Sequence, residues 1–286
     1  MFDAAVDPAF GSGADESAPT RAVSPGPGER SSETRHRHSL RPRCADRGQT
    51  GAVDVAVDLV VPVKELRRAK SRLAPAVADL PGDDADREQA HRALALALAR
   101  DTLRAARAAH RVGRLVVVTA EPAERLGAGG ELVRDEGGGL NAAVRRGAAH
   151  LHGAGARAVA ALQADLPALR PEELDDALRR ASALFAGGAG AAFVADHAGT
   201  GTTLLVAAPG RPLRPRFGPG SAWAHARSGA VALDGDWPGL RGDVDTVADL
   251  ARARALGTGP ATSAWCDDHA ARSVTDHAPA PTPGGY

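Results

Sequence analysis

Short apolar runs alternate with longer segments of helical character along the central part of the chain. Runs of Val, Ala and Leu without polar alternation are typical of strands buried on both faces of a sheet. They predict strands at 57–63, 114–120, 131–135, 157–165, 191–196, 202–208 and 231–235. Helices are predicted at 86–110 and from near Asn141, Pro171, Ser221 and Thr246. Such alternation predicts an α/β fold, with a mostly parallel sheet and helices on both faces.

The two ends of the chain lack this periodicity. Residues 1–52 are rich in Ser, Pro, Gly, Arg and Asp, and residues 258–286 have a similar character. Segments of this composition cannot bury enough apolar surface to offset the entropy lost on ordering. The sequence therefore predicts a disordered extension at 1–52, a single folded domain at 53–257 and a disordered tail at 258–286.

Charge and cysteine content narrow the class of protein. The formal net charge is zero and the isoelectric point is near 7.2, which gives no basic footprint for nucleic acid or for an anionic membrane. No apolar run reaches membrane-spanning length. Cys44 and Cys266 have neither metal-ligand spacing nor the density of a disulfide framework, which suits a reducing compartment. We expect a soluble cytoplasmic protein without nucleic-acid or membrane partners, and the sequence leaves a homodimer open.

Lys64 and Lys70 are the only lysines in a chain whose Lys and Arg total 35. A GC-rich coding bias could leave two neighbouring lysines by chance. However, lysine is a compact, strongly hydrated cation, whereas arginine is a planar fork. Both lysines follow a predicted strand, and ligands of open α/β sheets bind beyond the carboxyl ends of strands. We therefore favour a phosphate-binding role for Lys64 and Lys70, with Arg72 beside them.

A glycine-rich loop at 137–141 ends in Asn141. Glycines allow a backbone to approach a ligand closely, and the Asn amide can donate to and accept from the edge of a base. An equally good interpretation is a flexible turn in which Asn141 caps the following helix.

Carboxylates follow two other predicted elements. Asp165 ends a buried strand, while Asp243 and Asp245 lie just before the last helix of the domain. Two carboxylates from separate loops suit Mg²⁺, which is held mainly by carboxylates and substrate phosphates. One of the two later aspartates could instead cap the helix that starts near Thr246. Asp243 lies further from that helix and is the favoured partner of Asp165.

An ordered set of motifs resembles a known family. The motifs are "P-V-K…A-K-S-R-L", "G-L-N-A-A", "A-D-L-P-A-L", "G-T-G-T-T" and "R-F-G-P-G-S-A-W-A-H". Together they resemble the guanylyltransferases that activate phosphoenolpyruvate or 2-phospho-L-lactate in coenzyme F-420 biosynthesis, over about residues 57–256. The resemblance implies one Rossmann-like nucleotidyltransferase domain of the GT-A-like kind.

The resemblance also implies a reaction and a set of site residues. GMP passes from GTP to the phosphate of the three-carbon acid, and pyrophosphate leaves. The positions that match the family's Mg²⁺ ligands are Asp165 and Asp243. The positions that match its acceptor contacts, through hydroxyl and N–H donors, are Thr202 (with Thr200 and Thr203 as alternatives), Gly218 and Ser221. The remaining assignments are Lys64, Lys70 and Arg72 for the triphosphate and Gly138, Gly139 and Asn141 for guanine.

Two other functions fit the sequence less well. A nucleotidyltransferase acting on molybdopterin or a sugar phosphate would share the fold, but such enzymes typically have a Gly-rich loop after the first strand. The segment "VPVKELRRAK" lacks one. A non-catalytic nucleotide-binding protein would be expected to have lost the metal carboxylates or the phosphate lysines, and both are present.

Overall fold

The computed structural model describes residues 56–63, 71–78, 82–127 and 130–275. The predicted extension at 1–52 and the predicted phosphate ligands Lys64 and Lys70 lie outside these ranges. The strands are β1 Val57–Val63, β2 Val112–Thr119, β3 Glu131–Arg134, β4 Val159–Leu162, β5 Ala191–Ala195, β6 Thr202–Ala207 and β7 Val231–Ala232. The helices are α1 Asp84–Ala108, α2 Ala123–Leu126, α3 Leu140–Gly153, α4 Pro171–Ala186, α5 Ser221–Arg227, α6 Pro238–Arg241, α7 Val247–Leu256 and α8 Pro260–Thr275. A 3₁₀ turn spans Ser71–Val77.

The strands form one seven-stranded sheet in the order β3-β2-β1-β4-β6-β5-β7. Pairs β1–β2, β1–β4, β2–β3 and β5–β7 are parallel, whereas β6 runs antiparallel to both β4 and β5. The predicted mostly parallel α/β sheet is confirmed. The reversal of β6 places its amino end at the edge of the sheet where β1, β2 and β4 have their carboxyl ends.

Both faces of the sheet are covered by helices, which explains the largely apolar strands. In β1, Leu59 packs into the core formed with α1 and α4, while the next residue, Val60, packs into the core formed with α3 and α5. Successive side chains of a strand point to opposite faces, so a strand covered on both sides is apolar over most of its length. The exception in β1 is Asp58 near its start, which pairs with Arg114 of β2. Among the described helices, none is long and apolar enough to cross a bilayer.

The C-terminal boundary differs from the prediction. The disordered tail expected from residue 258 is wrong for 260–275, which form α8. Trp265 and Cys266 are buried against α1, and the Trp265 indole N–H donates to the carbonyl of Ala90 at 3.2 Å. The buried carboxylate of Asp101 accepts the N–H groups of Ala261 and Thr262, at 3.1 and 2.7 Å. α1 thus supplies both the apolar contact and the N-terminal hydrogen bonds that this polar segment lacks by itself.

Candidate active site

The predicted site segments converge on one edge of the sheet. Leu162 of β4 pairs with Leu204 of β6, and the Gln163 N–H donates to the Thr203 carbonyl at 2.9 Å. The segment after β4 therefore lies beside the start of β6. β3 ends at the same edge and leads into the glycine-rich loop. The backbone of Arg72 lies in the 3₁₀ turn, and its side chain is outside the described part of the chain.

The two predicted metal-binding segments are joined by their backbones. The Val244 N–H, immediately after Asp243, donates to the carbonyl of Asp165 at 3.0 Å. Asp165 lies three residues beyond β4 rather than at its end, and the next residue, Leu166, donates its N–H to the Thr102 hydroxyl at 2.8 Å. Asp165 is half-buried, and the Asp243 side chain is 23% exposed. Both aspartates thus sit on adjacent, hydrogen-bonded segments.

The N-cap of α7 is a different residue from the two aspartates considered for that role. Thr246 is the N-cap of α7, and its hydroxyl accepts the Asp249 N–H at 3.2 Å. The Asp249 carboxylate in turn accepts the Thr246 N–H at 2.8 Å, which completes a capping box. Neither Asp243 nor Asp245 therefore caps this helix. The Asp243 carboxylate instead faces Nδ1 of His197, at 3.9 Å.

The donor set at this position fits a hard divalent ion. Within the described residues, no group of three or more His, Cys, Asp or Glu side chains is placed to hold a metal. Two carboxylates on neighbouring segments match the way Mg²⁺ binds, through one or two carboxylates with waters and substrate phosphates as the other ligands. Asp165 and Asp243 are consistent with such a site.

The glycine-rich loop has a backbone that requires glycine. Gly137, Gly138 and Gly139 have φ values of +89°, +88° and +84°. L side chains rarely adopt these values, so each position favours glycine even where a Cβ would meet no neighbour. Gly139 occupies the N-cap position of α3, so the alternative role of Asn141 as the cap is not realised.

The Asn141 side chain connects this loop to a distant segment. Its Nδ2 donates to the carbonyl of Phe217 at 2.9 Å, and its Oδ1 accepts the Phe217 N–H at 2.8 Å. A primary amide has two N–H groups and two carbonyl lone pairs, so one of each remains for a ligand. The pair with Phe217 also fixes which end of the amide is the donor.

The three predicted acceptor residues lie on two segments that contact each other. The Ala222 N–H donates to the Thr200 carbonyl at 3.1 Å, and the Ser221 N–H donates to the Gly218 carbonyl at 3.1 Å. The first two N–H groups of α5 are therefore used within the protein. Thr202 and Ser221 are 4% and 2% exposed, respectively. What this region can offer a ligand is two hydroxyl groups beside a tight glycine turn.

Comparison with known proteins identifies the family. No family model matches the chain. A phosphoenolpyruvate guanylyltransferase from Salinispora arenicola is 53% identical over 212 residues, which cover 73% of this chain and 92% of that protein. One from Geodermatophilus obscurus is 52% identical over 215 residues, which cover 73% and 93%. The chain belongs to the phosphoenolpyruvate guanylyltransferase family. The family indicated by the sequence motifs is therefore confirmed, and the protein is a nucleotidyltransferase.

A solved structure supports the fold. A crystal structure from Desulfovibrio desulfuricans G20, of a protein described as a nucleotide-diphospho-sugar transferase, aligns with a TM-score of 0.56 at 18% identity. The alignment covers 77% of this chain and 98% of that one. At this identity the likeness concerns the fold alone. The nucleotidyltransferase fold inferred for this guanylyltransferase family member is confirmed.

Sequence reasoning gave no role to His225, which the structure places among the acceptor segments. It is fully buried, with Nδ1 2.9 Å from the Thr202 hydroxyl and Nε2 accepting the Arg216 N–H at 2.9 Å. Burial, with a smaller contribution from the positive charge of Arg216, lowers the pKa of His225 to about 4. The imidazole is therefore neutral near pH 7. Its spacing of four residues from Ser221 on a short helix was the signal that could have located it.

Proposed function

We propose that this protein transfers GMP from GTP to the phosphate of phosphoenolpyruvate, with release of pyrophosphate. The observation that carries the proposal is the shared sheet edge, where the segments of Asp165 and Asp243 lie beside the segment of Thr202. Family membership supports the reaction type, because the relatives are named for this activity. The sequence motifs support a place in coenzyme F-420 biosynthesis.

The chemistry requires charge neutralisation more than proton transfer. A phosphate monoester has a second pKa of ~6 and is mostly dianionic at neutral pH, so the attacking oxygen needs little help from a base. The obstacle is the approach of one anion to another, which positioning and fixed positive charge reduce. Asp165 and Asp243 would hold Mg²⁺, and the bound ion would neutralise charge on the reacting phosphates. Lys64, Lys70 and Arg72 are proposed as the cations for the triphosphate.

We propose that Gly138, Gly139 and Asn141 contact guanine. The positive φ values of the glycines expose their backbone without side chains in the way. Asn141 retains one N–H and one lone pair after its two bonds to Phe217. Because those bonds fix the orientation of the amide, it cannot rotate to exchange donor and acceptor. The amide thus presents one donor and one acceptor in a fixed order. This order discriminates between guanine and adenine, because the two bases carry donor and acceptor groups in opposite order along their base-pairing edges.

The reaction is tested by pyrophosphate release with two nucleotides and two acceptors. GTP or ATP is supplied with phosphoenolpyruvate or 2-phospho-L-lactate, each pair separately. We expect the highest kcat/KM with GTP and phosphoenolpyruvate, because the relatives are named for that acceptor. Equal kcat/KM for GTP and ATP would remove Asn141 from base recognition. Turnover with a sugar phosphate, but with neither three-carbon acid, would refute the proposed function.

The acceptor contacts are tested by Thr202→Val and Ser221→Ala. Each removes one buried hydroxyl and keeps most of the side-chain volume. A hydrogen bond to a charged group is worth roughly 1.5–3 kcal/mol, so we expect the KM for phosphoenolpyruvate to rise about tenfold or more while the KM for GTP changes little.

Two matched variants serve as controls for these substitutions. Thr203→Val removes a hydroxyl that faces the Val194 carbonyl at 3.5 Å, and Ser182→Ala removes one that donates to Leu178 within α4. Both should leave the acceptor KM near the wild-type value. A larger effect of Thr203→Val than of Thr202→Val would move the acceptor contact to Thr203.

A further inference from the structure

One buried imidazole contacts both segments that carry the proposed acceptor residues. His225 lies on α5, which begins at Ser221, and its two ring nitrogens reach Thr202 on β6 and Arg216 ahead of Gly218. We propose that His225 is a positioning residue for the phosphorylated acid, because it directs the Thr202 hydroxyl group toward the acceptor as a hydrogen-bond donor. This inference rests on the proposed function, since it takes Thr202 as an acceptor contact.

The first step is the position of the ring proton. The backbone N–H of Arg216 can only donate, so Nε2 of His225, at 2.9 Å, must be the acceptor. A neutral imidazole carries one proton, which is therefore on Nδ1. The pair of contacts leaves a single tautomer.

The second step is the direction of the Thr202 hydroxyl. With its proton on Nδ1, His225 donates to Oγ1 of Thr202 at 2.9 Å. The threonine oxygen is thereby an acceptor toward the histidine, and its own O–H must point elsewhere. The described residues provide no second partner for this hydroxyl. An oxygen of a carboxylate or phosphate, which accepts and does not donate, is the complementary ligand group.

The third step is the rigidity of the arrangement. The ring contacts Phe217 edge-on, with centroids 5.3 Å apart, and Phe193 at 5.9 Å. The backbone of Phe217 is held by two hydrogen bonds to the Asn141 amide. The imidazole is fully buried and is thus held in place by two aromatic rings. An apolar residue of similar size would fill the same space but would leave the Arg216 N–H without an acceptor and the Thr202 hydroxyl without a fixed direction.

The kinetic test separates the two ring nitrogens. In His225→Gln the side-chain carbonyl can reach the Nε2 position, so the Arg216 bond can be kept while the Nδ1 donor is lost. In His225→Asn the amide N–H lies near the Nδ1 position and keeps a donor for Thr202. We expect the Gln variant to raise the KM for phosphoenolpyruvate about tenfold or more. The Asn variant should stay within about threefold of wild type, with the GTP KM and the kcat at saturating acceptor unchanged in both.

Two controls accompany these variants. His152→Asn alters an exposed histidine of α3 and should have no effect. If His225 acts through Thr202, adding His225→Gln to Thr202→Val should raise the acceptor KM little beyond the value for Thr202→Val alone. Fully additive effects, or an Asn variant as impaired as the Gln variant, would overturn the positioning role.

A spectroscopic test measures the tautomer of His225 directly. ¹⁵N NMR of the imidazole groups of the full chain should contain one neutral ring with its proton on Nδ1 from pH 5 to 8. That signal should be missing from the His225→Gln spectrum. A ring protonated on Nε2, or one that titrates near pH 6.5 like an exposed histidine, would contradict the inference.

The outcomes also separate this inference from the proposed function. Lack of turnover with phosphoenolpyruvate in the wild-type protein would refute the function, and the NMR result would still decide the tautomer. Normal turnover, with the acceptor KM raised by Thr202→Val but not by His225→Gln, would refute only the positioning role.

Discussion

Replacement of Asp165 or Asp243 by Asn should lower Mg²⁺-dependent turnover by roughly a hundredfold or more, which corresponds to several kcal/mol of transition-state stabilisation. Asn keeps the shape of the side chain and removes its charge, so the ion is held less tightly across the reacting phosphates. The two segments are joined by the hydrogen bond from the Val244 N–H to the Asp165 carbonyl, which involves no side chain and should survive both substitutions. The fold should therefore remain intact.

Asp245→Asn is the matched control. Asp245 is exposed and two residues from Asp243, and its N–H donates to the Asp249 carboxylate at 3.1 Å whichever side chain it carries. We expect near-normal kcat for this variant, with thermal unfolding of all three variants and Mg²⁺ titration of their activity as the accompanying measurements. A silent Asp243→Asn beside a damaging Asp245→Asn would transfer the metal-ligand role to Asp245.

The sequence predicted the sheet well because the sheet is buried. A strand such as β1 is mostly apolar on both faces, and the predicted range of 57–63 is the observed one. Strand ends were less accurate: β4 stops at Leu162, three residues before Asp165. The helix α8 was missed because its anchor is a few residues around Trp265 in an otherwise polar segment. Its stability comes from α1, which is distant in the sequence.

The placement of the candidate residues in the fold was partly predictable from the sequence, and the hydrogen bonds between their segments were less so. Loops at the carboxyl ends of parallel strands meet at one edge, so Asp165 and the glycine-rich loop could be placed from topology alone. The bonds between Asn141 and Phe217 join residues 76 positions apart, and a pair of that kind leaves no periodic signal in one sequence. The N-cap of α7 is Thr246 rather than Asp243 or Asp245, and it lies one residue beyond the second of these. Helix ends are commonly uncertain by one or two residues.

Removal of α8 should destabilise the protein severely. In a chain that ends at residue 257, Leu94 and Leu98 of α1 lose their contact with Trp265 and Cys266. Truncation of a single buried Trp costs roughly 3–5 kcal/mol. The Asp101 carboxylate also loses both of its N–H partners from α8, and a hydrogen bond to a charged group contributes roughly 1.5–3 kcal/mol. The total approaches the net stability of a typical domain, about 5–15 kcal/mol.

The measurement compares two truncated chains by chemical unfolding, one ending at residue 257 and one at residue 275. We expect the longer chain to unfold close to the full-length midpoint and the shorter one to unfold far earlier or to be insoluble. Trp265→Ala in the full chain gives a milder version of the same loss. Activity should fall with stability, because the Gly259 N–H donates to the Pro167 carbonyl at 2.8 Å, two residues from Asp165. If the chain ending at 257 matched the longer one in both midpoint and turnover, α8 would not be part of the folded domain.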